Sequence, residues 1–191
     1  MTTLYLVRHG HYAGQEDAHD GYAANNPLDE LGRGQVEALA DRLSGKTIKL
    51  VISSELERAK ESAQVIADRL HLPMESTDVL NELGFFVPPW EIIKFERDED
   101  KYTRAIRDVT AASERAVKFL EKISREHQGE KVVVVCHGNI IRAIVGHALK
   151  MSVESMIRLQ VDLASLSVLE YDGSDLFRLV RLNDTCHLET S

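Results

Sequence analysis

The run Val132-Val133-Val134-Val135-Cys136 carries no polar side chain on either side of its backbone. A strand that alternates apolar with polar residues can leave one face in water, but an uninterrupted run must be covered on both faces. That is the situation of a central strand between two helical layers. The run stops abruptly at His137-Gly138-Asn139. Two other short apolar runs end in the same manner. Leu4-Tyr5-Leu6-Val7 delivers Arg8-His9-Gly10, and Leu50-Val51-Ile52 delivers Ser53-Ser54. Strands alternating with helical segments point to an α/β fold with a largely parallel sheet.

The helical segments follow from apolar spacing. Asp29 is a candidate N-cap before Leu31, Val36, Leu39, Ala40 and Leu43, with Ser44-Gly45 as the stop. Ser54 and Glu57 form a capping-box pattern ahead of Leu56, Ala59, Ala63, Ile66 and Leu70, and Arg58 falls in the first turns of that helix. A brief extended piece after Pro73 leads to Leu80-Asn81-Glu82-Leu83-Gly84-Phe85-Phe86 and Pro88-Pro89-Trp90. An aromatic, irregular segment of this kind suits a lid or pocket wall. A long helix from about Asp100 places Tyr102, Ile106, Val109, Ala112, Ala116, Phe119, Leu120 and Ile123 on one side, with Gly129 after its end. Ile140, Ile141, Ala143, Ile144, Val145, Ala148 and Leu149 describe a helix apolar nearly all round. Ser165–Glu170 and Leu176–Leu182 read as a hairpin about Asp172-Gly173-Ser174.

At 191 residues the chain fits one domain, or one with a modest insertion. The formal charge of −8 disfavours nucleic acid and anionic membranes as partners. No apolar run reaches membrane-spanning length and the N-terminus has no basic region, so the expected location is cytoplasmic. Cys136 and Cys186 form no disulfide framework, which suits a reducing compartment.

A parallel sheet would bring the three polar strand ends to one edge. Arg8, Arg58, His9 and His137 would then form an anion pocket. Guanidinium groups bind phosphate in a bidentate manner, and helix N-termini offer free N–H groups. His11, Tyr12, Gly138 and Asn139 would line it by proximity. Phosphate is the natural guest.

Leu6-Val7-Arg8-His9-Gly10, Ser53-Ser54-Glu55-Leu56-Glu57-Arg58-Ala59, Leu80-Asn81-Glu82 and Cys136-His137-Gly138-Asn139 together resemble the histidine phosphatase superfamily, which includes the cofactor-dependent phosphoglycerate mutases. The resemblance implies a three-layer α/β/α sandwich with a mostly parallel central sheet. It also implies one histidine phosphatase domain over 1–191, with a lid-like insertion at about 81–100. It makes His9 the nucleophile that forms a phosphohistidine, Arg8, Arg58 and His137 the phosphate clamp, and Glu82 the proton donor. No metal or other cofactor is needed, because the pocket carries the charge. The substrate is expected to be a small phosphorylated metabolite or a phosphoprotein. The phosphatase branch is favoured over the mutases, which resemble one another in a Glu-Ser-x-Trp-Asn continuation where this chain has His11-Tyr12-Ala13-Gly14.

Three rivals follow from the same residues. Cys136 and Arg142 stand in the C-x5-R spacing of cysteine-dependent phosphatases, although Ile140-Ile141 looks helical and Cys136 suits a strand interior. His9-x-His11 resembles a metallohydrolase pair. A non-catalytic phosphate-binding module on the same fold is the third. Arg142, a charge in an apolar helix, is expected to make a structural ion pair.

Overall fold

A computed structural model describes residues 1–14, 26–82, 99–174 and 176–189, without the side chains of 99–102, 104 and 105. Six strands form one sheet: β1 (Thr2–Arg8), β2 (Leu50–Ser54), β3 (Met74–Thr77), β4 (Lys131–Cys136), β5 (Leu166–Tyr171) and β6 (Phe177–Asp184). Their order is β3-β2-β4-β1-β5-β6. β4 lies between β1 and β2 and is parallel to both, with Val133 opposite Tyr5 on one side and Val51 on the other. Val132 to Cys136 are all fully buried, as the apolar run requires. β3 pairs parallel to β2, whereas β5 runs antiparallel to β1 and to β6. The expected hairpin therefore extends the same sheet past β1.

Alternation along the strands sorts their side chains onto two faces. Leu4, Leu6, Leu50, Ile52, Val132, Val134 and Cys136 pack with Ala116, Val117, Leu120 and Ile123 of α3 (Glu99–Glu126), and with Ile140, Ile141, Ile144 and Val145 of α4 (Gly138–Ala148). Tyr5, Val7, Val51, Val133 and Val135 face α1 (Glu30–Leu43) and α2 (Glu57–Leu70). The result is the three-layer α/β/α sandwich. A short α5 (Val153–Met156) rests on α4, where Met156 fills the space that Gly146 leaves.

Helix boundaries mostly follow their caps. Asp29 accepts from the Gly32 N–H at 2.8 Å, and α1 ends at Ser44. Leu31 proves to be 59% exposed, and Leu149 lies just beyond α4, half exposed, so neither belongs to the core. The capping box at Ser54 does not form. α2 begins at Glu57 after Leu56, with no side-chain cap, and Ser54 is the last residue of β2. Its hydroxyl is drawn to tertiary partners instead, Asn81 and His137. The proposed insertion at about 81–100, with Phe85, Phe86 and Trp90, falls almost wholly outside the described residues.

One contact sets the edge where β1 ends. A Cβ on Gly10 would lie 2.6 Å from the Gly32 carbonyl oxygen, and one on Gly32 would lie 1.9 Å from that of His11. The first turn of α1 thus packs backbone on backbone against the β1 exit, which only glycine permits.

Candidate active site

Register determines what meets at this edge. Arg8 pairs with Cys136, so the next residues, His9 and His137, leave adjacent parallel strands side by side. The His9 N–H donates to the Cys136 carbonyl at 3.0 Å, and the two imidazole centroids are 5.0 Å apart. β2 lies on the far side of β4, with Ser53 opposite Val135, which brings Ser54 beside His137. Arg58, in the first turn of α2, donates from Nε to His9 Nε2 at 3.2 Å. Arg8 donates from Nη1 to the Val161 carbonyl at 2.7 Å. Tyr12 is buried, edge-on to His9 at 5.5 Å and beneath the Arg58 guanidinium at 4.9 Å.

The bonds fix the state of His9. Its Nδ1 lies 2.8 Å from the Gly10 carbonyl, which can only accept, so Nδ1 carries the proton and Nε2 a lone pair. Burial, reinforced by His137, Arg8 and Arg58, holds His9 well below the ordinary histidine range. A neutral imidazole with an available nitrogen, under a guanidinium, has the properties of a nucleophile toward an anionic phosphorus centre.

Among the described residues three guanidiniums share the site. Burial lowers the pKa of Arg8, Arg58 and Arg142, and Glu82 opposes that shift at each, so its carboxylate acts on all three. Among the described residues Arg142 makes no ion pair of the expected kind. Its Nε donates to the Leu159 carbonyl at 2.7 Å and its Nη1 to Asn139 Oδ1 at 2.9 Å, so neutral oxygens hold it. Arg8 Nε and His137 Nδ1 are buried without a hydrogen-bond partner among the described residues. Concentrated positive charge and an unmet Arg8 N–H are costly unless an anion completes them.

The remaining residues take distinct places. His11 turns its Nδ1 to Asp29 at 2.5 Å, while its backbone N–H donates to Gln35. Gly138 opens α4 beside Arg8, whose Nε would be 3.4 Å from a Cβ there. Asn139 is engaged by Arg142. Cys136 lies in the apolar core, where burial pushes its thiol far up, so it is a poor nucleophile.

Sequence reasoning missed the supports. Ser62 accepts from the Gly10 N–H at 3.1 Å and donates to the Arg58 carbonyl at 2.7 Å, tying the two motifs together. Asn183 binds Asp162 through both its Oδ1 and Nδ2, fixing the segment whose Val161 carbonyl holds Arg8. His187 lies 3.0 Å from the Ala164 carbonyl, and Asp184 pairs with Arg42.

Two buried neutral imidazoles have a consequence for stability. The folded pKa values of His9 and His137 both lie well below the ordinary value of 6.5, so the unfolded chain binds more protons in the window beneath it. Stability is expected to be level above that window and to fall as pH drops through it, by up to ~1.4 kcal/mol per pH unit for each histidine. Denaturant midpoints across pH check this. His9→Gln should flatten the fall, and an unchanged slope would contradict it.

Comparison with known proteins adds to this geometry. Residues 4–185 match the description of the Histidine phosphatase superfamily (branch 1). The Escherichia coli adenosylcobalamin/alpha-ribazole phosphatase is 26% identical over 87% of this chain and 89% of its own length. The mitochondrial serine/threonine-protein phosphatase Pgam5 of Caenorhabditis briggsae is 32% identical over 97% of this chain, which spans 64% of that protein. The structure of a phosphoserine phosphatase from Entamoeba histolytica superimposes with a TM-score of 0.83 at 19% identity, covering 99% of this chain and 100% of its own.

Proposed function

Because the chain belongs to branch 1 of the histidine phosphatase superfamily, we propose that it hydrolyses phosphomonoesters by way of a phosphohistidine on His9. The observation that carries this reading is the state of His9, whose Nε2 lone pair faces the Arg58 guanidinium while Gly10 holds the proton on Nδ1. Nε2 attacks phosphorus as the ester P–O bond breaks. Arg8, Arg58 and His137 hold the phosphoryl oxygens, where charge accumulates in the transition state. Glu82 gives its proton to the leaving alkoxide. Its carboxylate then takes a proton from water, whose oxygen attacks phosphorus, releases phosphate and restores the lone pair on Nε2.

Hydrolysis is favoured over mutase transfer by the names of the two relatives and by the absence of the mutase-like continuation after Gly10. Substrates are sought among phosphoserine, phosphopeptides, sugar phosphates and nucleoside monophosphates. A phosphate-release screen over these classes is expected to give turnover with at least one of them. Activity that appears only with added metal and is lost to a chelator would favour the metallohydrolase. No turnover in any class would favour a binding module. Among the described residues no helix is long and apolar enough to cross a membrane, and we place the protein in the cytoplasm as part of this proposal.

A further inference from the structure

Hydrogen-bond directions around His137 can be followed from one fixed donor. The Glu55 backbone N–H can only donate, and it does so to Asn81 Oδ1 at 2.9 Å, so the oxygen of that amide faces inward. The Ser54 hydroxyl lies 2.8 Å from the same oxygen and must give it its single proton. Ser54 Oγ is then left as an acceptor, taking the Leu56 N–H at 3.2 Å and the ring nitrogen His137 Nε2 at 2.8 Å. His137 therefore carries its proton on Nε2. Its Nδ1, buried and without a partner among the described residues, is a bare lone pair. His9 has the opposite arrangement, with the proton on Nδ1.

We propose that Ser54 and Asn81 are positioning residues that fix this tautomer, so that a phosphoryl group bound at the site is held by His137 only through a proton gained on binding. This rests on the phosphate-binding role proposed above. A neutral His137 in this tautomer has nothing to donate toward a phosphoryl oxygen. A monoanion supplies the missing proton from its own P–OH. A dianion requires His137 to take one from solvent, becoming an imidazolium that then donates from Nδ1. Among the described residues the titratable groups around His137 are the neutral His9 and the cationic Arg8 from the end of β1 and Arg58 from α2, with Glu82 acting on the same arginines. Burial, reinforced by Arg58 and Arg8, keeps the ring neutral when no anion is bound, and a bound dianion offsets the two arginines. Asn81 also precedes Glu82, so the same anchor holds the base of the proposed proton donor.

Long-range ¹H–¹⁵N spectra of the imidazoles test the tautomers without any substrate. The ligand-free protein is expected to show the Nε2–H form for His137 and the Nδ1–H form for His9; an Nδ1–H signal for His137 overturns the inference. Asn81→Ala frees the Ser54 hydroxyl to donate to His137 and should move the proton to Nδ1, whereas Asn81→Asp should keep it on Nε2. Calorimetry of inorganic phosphate binding, at about pH 8 in buffers of differing ionisation enthalpy, should give uptake of about one proton in the His9→Ala background, where His9 cannot take it. Asn81→Ala in that background should abolish the uptake; equal uptake with and without Asn81 refutes the coupling. The wild-type tautomer decides the matter even where a variant fails to fold. If His9→Ala remained active, the phosphohistidine reading would fall while the tautomer result stood.

Discussion

His9→Ala is expected to lower phosphate release by about 10⁴-fold or more while leaving the fold intact. The imidazole is 3% exposed and makes two polar contacts, with the Gly10 carbonyl and Arg58 Nε, so its loss removes a reacting atom without breaking a large network. At neutral pH the ring is already uncharged, so the stability cost should be that of the small cavity left behind, on the order of 1–3 kcal/mol. Steady-state phosphate release and thermal unfolding of the same preparation separate the two effects. A His9→Ala protein that is unfolded would leave the loss of activity unexplained by chemistry, and one that is folded and active would refute the nucleophile. Cys136→Ser provides the contrast. Its thiol is buried among Leu4, Ile52 and Ile140 in the apolar core and should be dispensable for turnover.

The second large effect concerns the fold and reaches the site through it. Gly32→Ala is expected to cost about 4 kcal/mol or more, because its Cβ would fall 1.9 Å from the His11 carbonyl oxygen and 2.7 Å from the His11 nitrogen. Backbone atoms cannot rotate away as the end of a side chain can. The Gly10–Tyr12 segment would have to move, and with it Tyr12 and the carbonyl that holds His9. Gly34, two residues on in the same helix, has nothing within 4 Å of its would-be Cβ and is exposed. Gly34→Ala should therefore stabilise by up to ~1 kcal/mol, the usual gain of alanine over glycine inside a helix. Denaturant unfolding of both variants checks the pair. Equal effects would mean that the close approach of α1 to β1 is not what the fold depends on.

These glycines illustrate how much could be read from the chain. The apolar run at Val132–Val135 requires cover on both faces, and β4 has it, so the layered α/β architecture was legible from composition along a few residues. So were Asp29 as the cap of α1 and the small-residue face of α2, which are local in the chain. Contacts between distant segments were not. Ser54-Glu55-Leu56-Glu57 has the local pattern of a capping box, but the hydroxyl of Ser54 goes to Asn81 and His137, 27 and 83 residues away. Arg142 in an apolar helix calls for a partner, and a carboxylate is the partner a sequence can display. The Leu159 carbonyl that it found exists at every residue and leaves no mark in the sequence. For the same reason Val161, which holds Arg8 through its backbone, could not be singled out.

The site divides along the same line. Arg8, His9, Arg58 and His137 were read from strand ends and a motif, and register places them together. His11 lay next to them in sequence, yet its imidazole is committed to Asp29. Glu82 was read from the resemblance, and its charge is felt at Arg8, Arg58 and Arg142. The supporting groups, Ser54, Ser62, Asn81 and Asn183, are small polar residues whose types carry no signal until their partners are known.

The central claim is that His9 becomes covalently phosphorylated. Rapid quenching of the protein during turnover of a phosphomonoester labelled in its phosphoryl group, with the trapped protein then divided between acid and base, measures this directly. The expected result is protein-bound phosphate that acid removes and base does not, that maps to His9, and that is absent from His9→Ala. Label that survives acid, or that persists in His9→Ala, would contradict it.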